Sequence, residues 1–108
     1  VNITGALVAT GDVTAFSDIT LKEDVEVIPN ALDKVSQIRG VTFTRKDFED
    51  KSRKSGVIAQ EVEKVLPEVV TTTEDGTKTV AYGNLVGLLI ESIKELKAEV
   101  AELKEKCK

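Results

Sequence analysis

The strongest hydrophobic periodicity lies at the C-terminal end. Val86, Ile93, Val100 and Cys107 recur every seven residues, and Leu89, Leu96 and Leu103 recur between them. That spacing puts all seven on one narrow stripe of a helix. β-Branched residues at the first position with Leu at the second are the signature of a coiled coil. Lys and Glu flank the stripe almost wholly in its last two heptads, and Glu99 and Lys104 are spaced to attract across parallel chains. The segment 84–108, with Asn84 as its N-cap, therefore predicts self-association through Val86, Leu89, Ile93, Leu96, Val100 and Leu103. The alternative is one amphipathic helix lying on its own domain, which calls for a broader apolar face. In an isolated parallel coil these residue types favour two strands.

Upstream the periods are shorter. Residues 1–16 alternate β-branched and apolar residues around Thr4-Gly5 and Thr10-Gly11, which predicts short strands with glycine turns. Strands this short need partners to be stable, so 1–16 reads as the end of an upstream β-stem. Residues 17–29 are mixed and linker-like, ending at Pro29. Asn30 then caps a helix carrying Ala31, Leu32, Val35 and Ile38, which Gly40 ends. Val41 to Thr44 predicts a strand. Residues 45–55 are charged and predict an exposed loop with Phe48 as its apolar anchor; the other reading is a loop that grips the upstream chain during folding. Val57 and Ile58 fit a short strand or a helix entry. Ala59 to Leu66 predicts a helix stopped by Pro67. Val69–Thr73 and Thr77–Tyr82 flank Glu74-Asp75-Gly76 as a hairpin. The expectation is an α+β fold: a small globular domain over 17–83, followed by a long C-terminal helix in a parallel coiled coil.

Composition narrows the function. The chain has 108 residues, enough for one small domain, and aromatics are 4% with no Trp, Met or His. Without His, acid–base chemistry falls to Asp, Glu, Lys or Tyr82. A net charge of −4 with interspersed signs argues against nucleic-acid binding. No apolar run is long enough for a bilayer and no leader is visible, so no membrane partner is expected. The single Cys107 allows no intrachain disulfide. The start inside a patterned segment points to a fragment of a longer polypeptide. No cofactor or metal is implied.

One cluster carries chemistry without His. Ser17-Asp18-Ile19-Thr20-Leu21-Lys22 holds a serine five residues before a lysine. In a Ser–Lys dyad the hydroxyl attacks a carbonyl while a neutral lysine amine takes its proton; desolvation or a nearby cation favours that form. Such spacing is common by chance. From spacing alone a purely local reading is the better one: Ser17 and Asp18 suit a turn, Thr20 and Glu23 match a capping box, and Lys22 is then a solvated helix residue. Tyr82 reads as a packed residue with a bonded hydroxyl.

The same six residues resemble the start of the S74 peptidase family, the C-terminal intramolecular chaperone domains of phage tail fibres, tailspikes and endosialidases. Further blocks follow in the family's order. Ile38-Arg39-Gly40-Val41-Thr42-Phe43 is similar to its helix-to-strand passage. Gly56-Val57-Ile58-Ala59-Gln60-Glu61-Val62 and Leu66-Pro67-Glu68-Val69-Val70 resemble its most recognisable stretch, and Val80-Ala81-Tyr82 with Leu85 to Leu96 its closing strand and helix. The resemblance covers about 17–97.

It implies a homotrimeric chaperone that assists the folding of the upstream fibre or tailspike of its own polypeptide and then cuts itself off. Ser17 is then the nucleophile and Lys22 the base; Asp18 matches the motif without an assigned role. Gln60 and Glu61 fall in the first turn of a helix, where the dipole favours Glu; the other reading has them support the dyad or a neighbouring subunit. Attack by Ser17 on the preceding carbonyl closes a five-membered ring and favours cleavage at Phe16–Ser17. Ser17–Asp18 stays open, since attack from a neighbouring subunit escapes the ring limit. The family places the module in the host cytoplasm during virion assembly, released from the mature fibre. A trimerisation cap that stays attached and a receptor-binding fibre tip are the competing readings.

Overall fold

The computed structural model describes residues 2–107, so Val1 of the stem segment and Lys108 of the terminal helix lie outside it. The architecture is α+β. Helix α1 is Ala31–Val35, strands β1 (Val41–Phe43) and β2 (Lys54–Gly56) form one antiparallel hairpin, and helix α2 is Ala59–Val65. Strands β3 (Val70–Thr72) and β4 (Lys78–Val80) form a second hairpin, and helix α3 is Val86–Lys106. Three 3-10 turns, Ile19–Leu21, Pro67–Val69 and Tyr82–Leu85, join them.

The core is small and aliphatic: Ala31 of α1, Val62 and Leu66 at α2, Val69 and Leu88 of α3. Ile28, Val35, Ile38, Val57, Val65, Val70, Val80 and Leu85 pack around it. Helix α3 crosses α1, and its N-terminal part contributes the fully buried Leu88 and the buried Ser92, whose hydroxyl donates to the Leu88 carbonyl at 2.8 Å. Lys78 of β4 bridges to Glu63 of α2 at 3.0 Å, fixing the second hairpin on that helix.

Several elements differ from the sequence expectation, each for a physical reason. Residues 2–16 form no strand in the single chain and are exposed throughout; a strand needs a paired neighbour, and this segment pairs with none. Helix α1 ends at Val35; the Ser36 N–H bonds back to the Leu32 carbonyl, and Gln37 and Ile38 continue as turns bonded to the Lys34 and Val35 carbonyls. Asn30 occupies the N-cap position with φ 52° and makes no capping hydrogen bond. The cap comes instead from Glu95 of α3, whose two carboxylate oxygens accept the Ala31 and Leu32 N–H groups at 2.9 Å each. Asn84 does not cap α3 either; it lies inside the 3-10 turn that leads into it. The charged stretch 45–55 is a loop only to Arg53. Lys54 and Ser55 then pair with Phe43 and Thr42 in β2, and Val57 leads to Ile58, the N-cap of α2, which is the expected helix entry. Gly76, at φ 89°, makes the turn between β3 and β4.

Candidate functional site

Asp18 begins the site. Its Oδ1 accepts the Thr20 N–H at 2.9 Å and the Thr20 hydroxyl at 2.8 Å, capping the Ile19–Leu21 turn. Accepting the Thr20 N–H, then the hydroxyl, holds this carboxyl below the ordinary aspartate range. The turn closes through Leu21 N–H to Asp18 O at 3.0 Å and Lys22 N–H to Ile19 O at 3.1 Å. It stops there, because Lys22 leaves in an extended conformation. One turn folds the chain back far enough for Lys22 Nζ to reach Ser17 Oγ at 2.8 Å. The Thr20–Glu23 capping box does not form: Thr20 donates to Asp18, and the helix such a box would start is absent.

The contact is exposed, and so are the apolar residues beside it. Phe16 is 96% accessible, and Ile19 and Leu21 on the turn itself are also out in solvent. In this contact Lys22 Nζ donates and Ser17 Oγ accepts, which sets the two groups side by side.

Gln60 and Glu61 do open α2, as expected, and Glu61 pairs with Arg39. Its carboxylate takes Arg39 Nε at 2.9 Å and Nη2 at 2.6 Å, and accepts the Arg39 backbone N–H at 3.1 Å. The side-chain bond to Arg39, then the backbone bond, keeps Glu61 below the usual glutamate range. Glu61 thus ties α2 to the passage entering β1, and Gln60 beside it is exposed. The Tyr82 hydroxyl accepts the Val57 N–H at 3.2 Å, though the ring is 53% exposed rather than in the core. Gly56 makes room for it: a Cβ there would run into the Tyr82 hydroxyl and lie 3.3 Å from Cζ.

The heptad stripe of α3 is a second surface. Val86, Leu89, Ile93, Leu96, Val100 and Leu103 are 42 to 66% exposed, while Leu88 and Ser92, round the helix, are buried on the domain. Two shallow apolar grooves run along it. One, of about 310 Å³, lies between Leu32, Val35, Leu89, Ile93 and Leu96; the other, of about 380 Å³, follows Ile93, Leu96, Val100 and Ala101.

Sequence reasoning placed Asp18 in a turn and in the motif but gave it no role; the structure has it capping the Ile19–Leu21 turn. It missed Glu95, whose partners are more than 60 residues away.

Comparison with known proteins locates these features. The family described as chaperone of endosialidase matches residues 17–71, starting on Ser17. The long tail fibre protein Gp37 of Enterobacteria phage K3 is 41% identical over 97 residues, covering 83% of this chain and 8% of that protein. Gp37 of Enterobacteria phage T2 is 41% identical over the same length, 83% of this chain and 7% of its own. Gp37 of Salmonella phage S16 is 36% identical, covering 94% of this chain and 16% of the relative. The chain thus spans a small part of the curated relatives it matches. On a family match over half its length and relatives of this similarity, the chain belongs to the S74 peptidase family, the chaperone of endosialidase domains.

Proposed function

We propose that the chain is an intramolecular chaperone of a phage long tail fibre that assembles as a parallel homotrimer and then releases itself by serine-dependent autoproteolysis beside Ser17. The observation that carries the reading is the 2.8 Å contact between Lys22 Nζ and Ser17 Oγ. Ser17 Oγ attacks the Phe16 carbonyl carbon while Lys22 takes the hydroxyl proton. The proton passes to the leaving Ser17 nitrogen, giving an ester, which water hydrolyses to a Phe16 carboxylate and a free hydroxyl. Cleavage at Ser17–Asp18 instead requires a serine that reaches the bond from a neighbouring subunit.

Lysine accepts that proton only as the neutral amine, a form that loss of water favours. Phe16, Ile19 and Leu21, exposed in one chain, are the residues that assembled chains have available to exclude water. Cleavage then waits for the finished assembly, because only it completes the site. The α3 stripe supplies early association. Its contacts are local and fast, whereas pairing stem strands between chains is slow and leaves sticky edges; once α3 associates, stem pairing becomes effectively intramolecular. Release in the host cytoplasm leaves a fibre that cannot return along its folding route, so its stability is partly kinetic.

Electrophoresis of a precursor carrying the upstream fibre tests this. Wild type yields two fragments, and Ser17→Ala and Lys22→Ala each stay full length. Cleavage in both variants refutes the dyad. An uncleaved wild type supports a cap that stays attached, and finding this domain in mature virions by mass spectrometry supports a fibre tip. Intact masses of the fragments identify the bond.

A further inference from the structure

The Ser17–Lys22 contact sits where nothing packs. Residues 17 to 22 are all exposed, and the Ile19–Leu21 turn has no buried residue. Burial of apolar surface therefore does not hold the dyad together in the folded chain. A single helical turn is also marginal by itself, since it fixes several dihedrals for very few hydrogen bonds. This turn has two backbone bonds, Leu21 to Asp18 and Lys22 to Ile19, and two more that both end on one atom, Asp18 Oδ1.

We infer that Asp18 is a positioning residue for self-cleavage: its side-chain oxygen, by capping the Ile19–Leu21 turn through Thr20, carries Lys22 Nζ back onto Ser17 Oγ. The inference rests on the autoproteolytic reading above. Asp18 acts through geometry and not through its charge, because both hydrogen bonds to Oδ1 come from Thr20 and neither from Lys22. Any side chain with an acceptor at that atom closes the turn. Asn has one and Ala has none. Without the acceptor, the Thr20 N–H turns to water, the backbone at Lys22 is released, and the four-carbon stem of the lysine no longer points its amine at the serine.

Loss of a helix-capping acceptor typically lowers the folded population of the capped segment about fivefold. The second bond, from the Thr20 hydroxyl, brings the expected loss for Asp18→Ala to about tenfold in cleavage rate. The experiment follows self-cleavage of the precursor with its upstream fibre over time. Asp18→Asn is expected to cleave within about threefold of wild type and Asp18→Ala about tenfold more slowly. Thr20→Val, which keeps the N–H but loses the hydroxyl, is expected to fall between them. The double variant Asp18→Ala/Thr20→Val is expected to be no slower than Asp18→Ala, since both remove the same contact.

Wild-type rate in Asp18→Ala overturns the inference. So does an Asp18→Asn variant as slow as Asp18→Ala, which would make the charge the active feature. A second measurement does not depend on cleavage: in the 108-residue chain, NMR cross-peaks between the Ser17 β-protons and the Lys22 ε-protons are expected in wild type and Asp18→Asn and absent in Asp18→Ala. Cross-peaks that persist in Asp18→Ala overturn the inference as well. A wild type that never cleaves refutes the proposed autoproteolysis, and the cross-peaks still decide what Asp18 does.

Discussion

Leu88 and Leu89 are neighbours in sequence and opposites in environment. Leu88 is 1% exposed, packed with Ala31 and Val62, while Leu89 is 48% exposed on the heptad stripe. Truncating each to Ala therefore separates the stability of the single domain from that of its assembly. Leu88→Ala leaves a cavity in a core of five buried apolar side chains among the described residues and is expected to cost about 3 kcal/mol. At roughly 4–8 °C per kcal/mol for a domain of this size, the melting temperature falls by more than about 10 °C. Leu89 has already buried half its surface. Complete burial of a leucine is worth about 1.5–3 kcal/mol, so about 1 kcal/mol per chain remains to be gained on association. In the proposed trimer that is about 3 kcal/mol, or on the order of 100-fold in the association constant. Sedimentation equilibrium measures the association, and thermal melts at two protein concentrations measure the domain. Leu89→Ala is expected to weaken association strongly with a small change in the dilute melt, and Leu88→Ala the reverse. If Leu89→Ala leaves association unchanged, the exposed stripe is not what joins the chains. If both variants melt alike at every concentration, the division of α3 into a domain face and an association face is wrong.

Other expectations follow from single contacts. The Glu95 carboxyl lies below its ordinary value of 4.5 because it accepts the Leu32 and Ala31 N–H groups, so its contribution is present above that pH and is lost as pH falls through the lower folded value; Glu95→Gln is expected to flatten part of the acid limb in urea melts across pH, and an unchanged limb refutes the cap. Gly76→Ala, at a residue with φ 89°, is expected to destabilise the domain by about 1 kcal/mol in urea unfolding. Gly56→Ala is expected to push Tyr82 off the Val57 N–H, costing about 1 kcal/mol, and adding Tyr82→Phe is expected to cost little more, since the same hydrogen bond is already gone; additive losses in the double variant would show that the two do not share it.

Local periodicity determined most of the elements. The heptads of α3, the helix over Ala59–Val65, the Gly76 hairpin and the strand at Val41 were all legible, because each depends on residues within a few positions of one another. The Ser17–Lys22 pair was legible only as a spacing. What made it a contact is one short turn, and a turn of three residues leaves little mark on hydrophobic pattern.

The features that remained hidden share a cause. Glu95 caps α1 in place of Asn30, Glu61 clasps Arg39, and Lys54 pairs with Phe43 out of a stretch that reads as solvated loop. Each joins residues 11 or more positions apart through hydrogen bonds of polar groups, which carry no period of their own. The sequence alone determined that α3 has an apolar stripe and that a serine and lysine lie five residues apart. Only the tertiary structure decided which face of α3 the domain consumes, leaving the stripe in solvent, and that the backbone turns at Asp18 to bring hydroxyl and amine together. Burial is settled by which surfaces meet when elements pack, and that is a property of the whole chain.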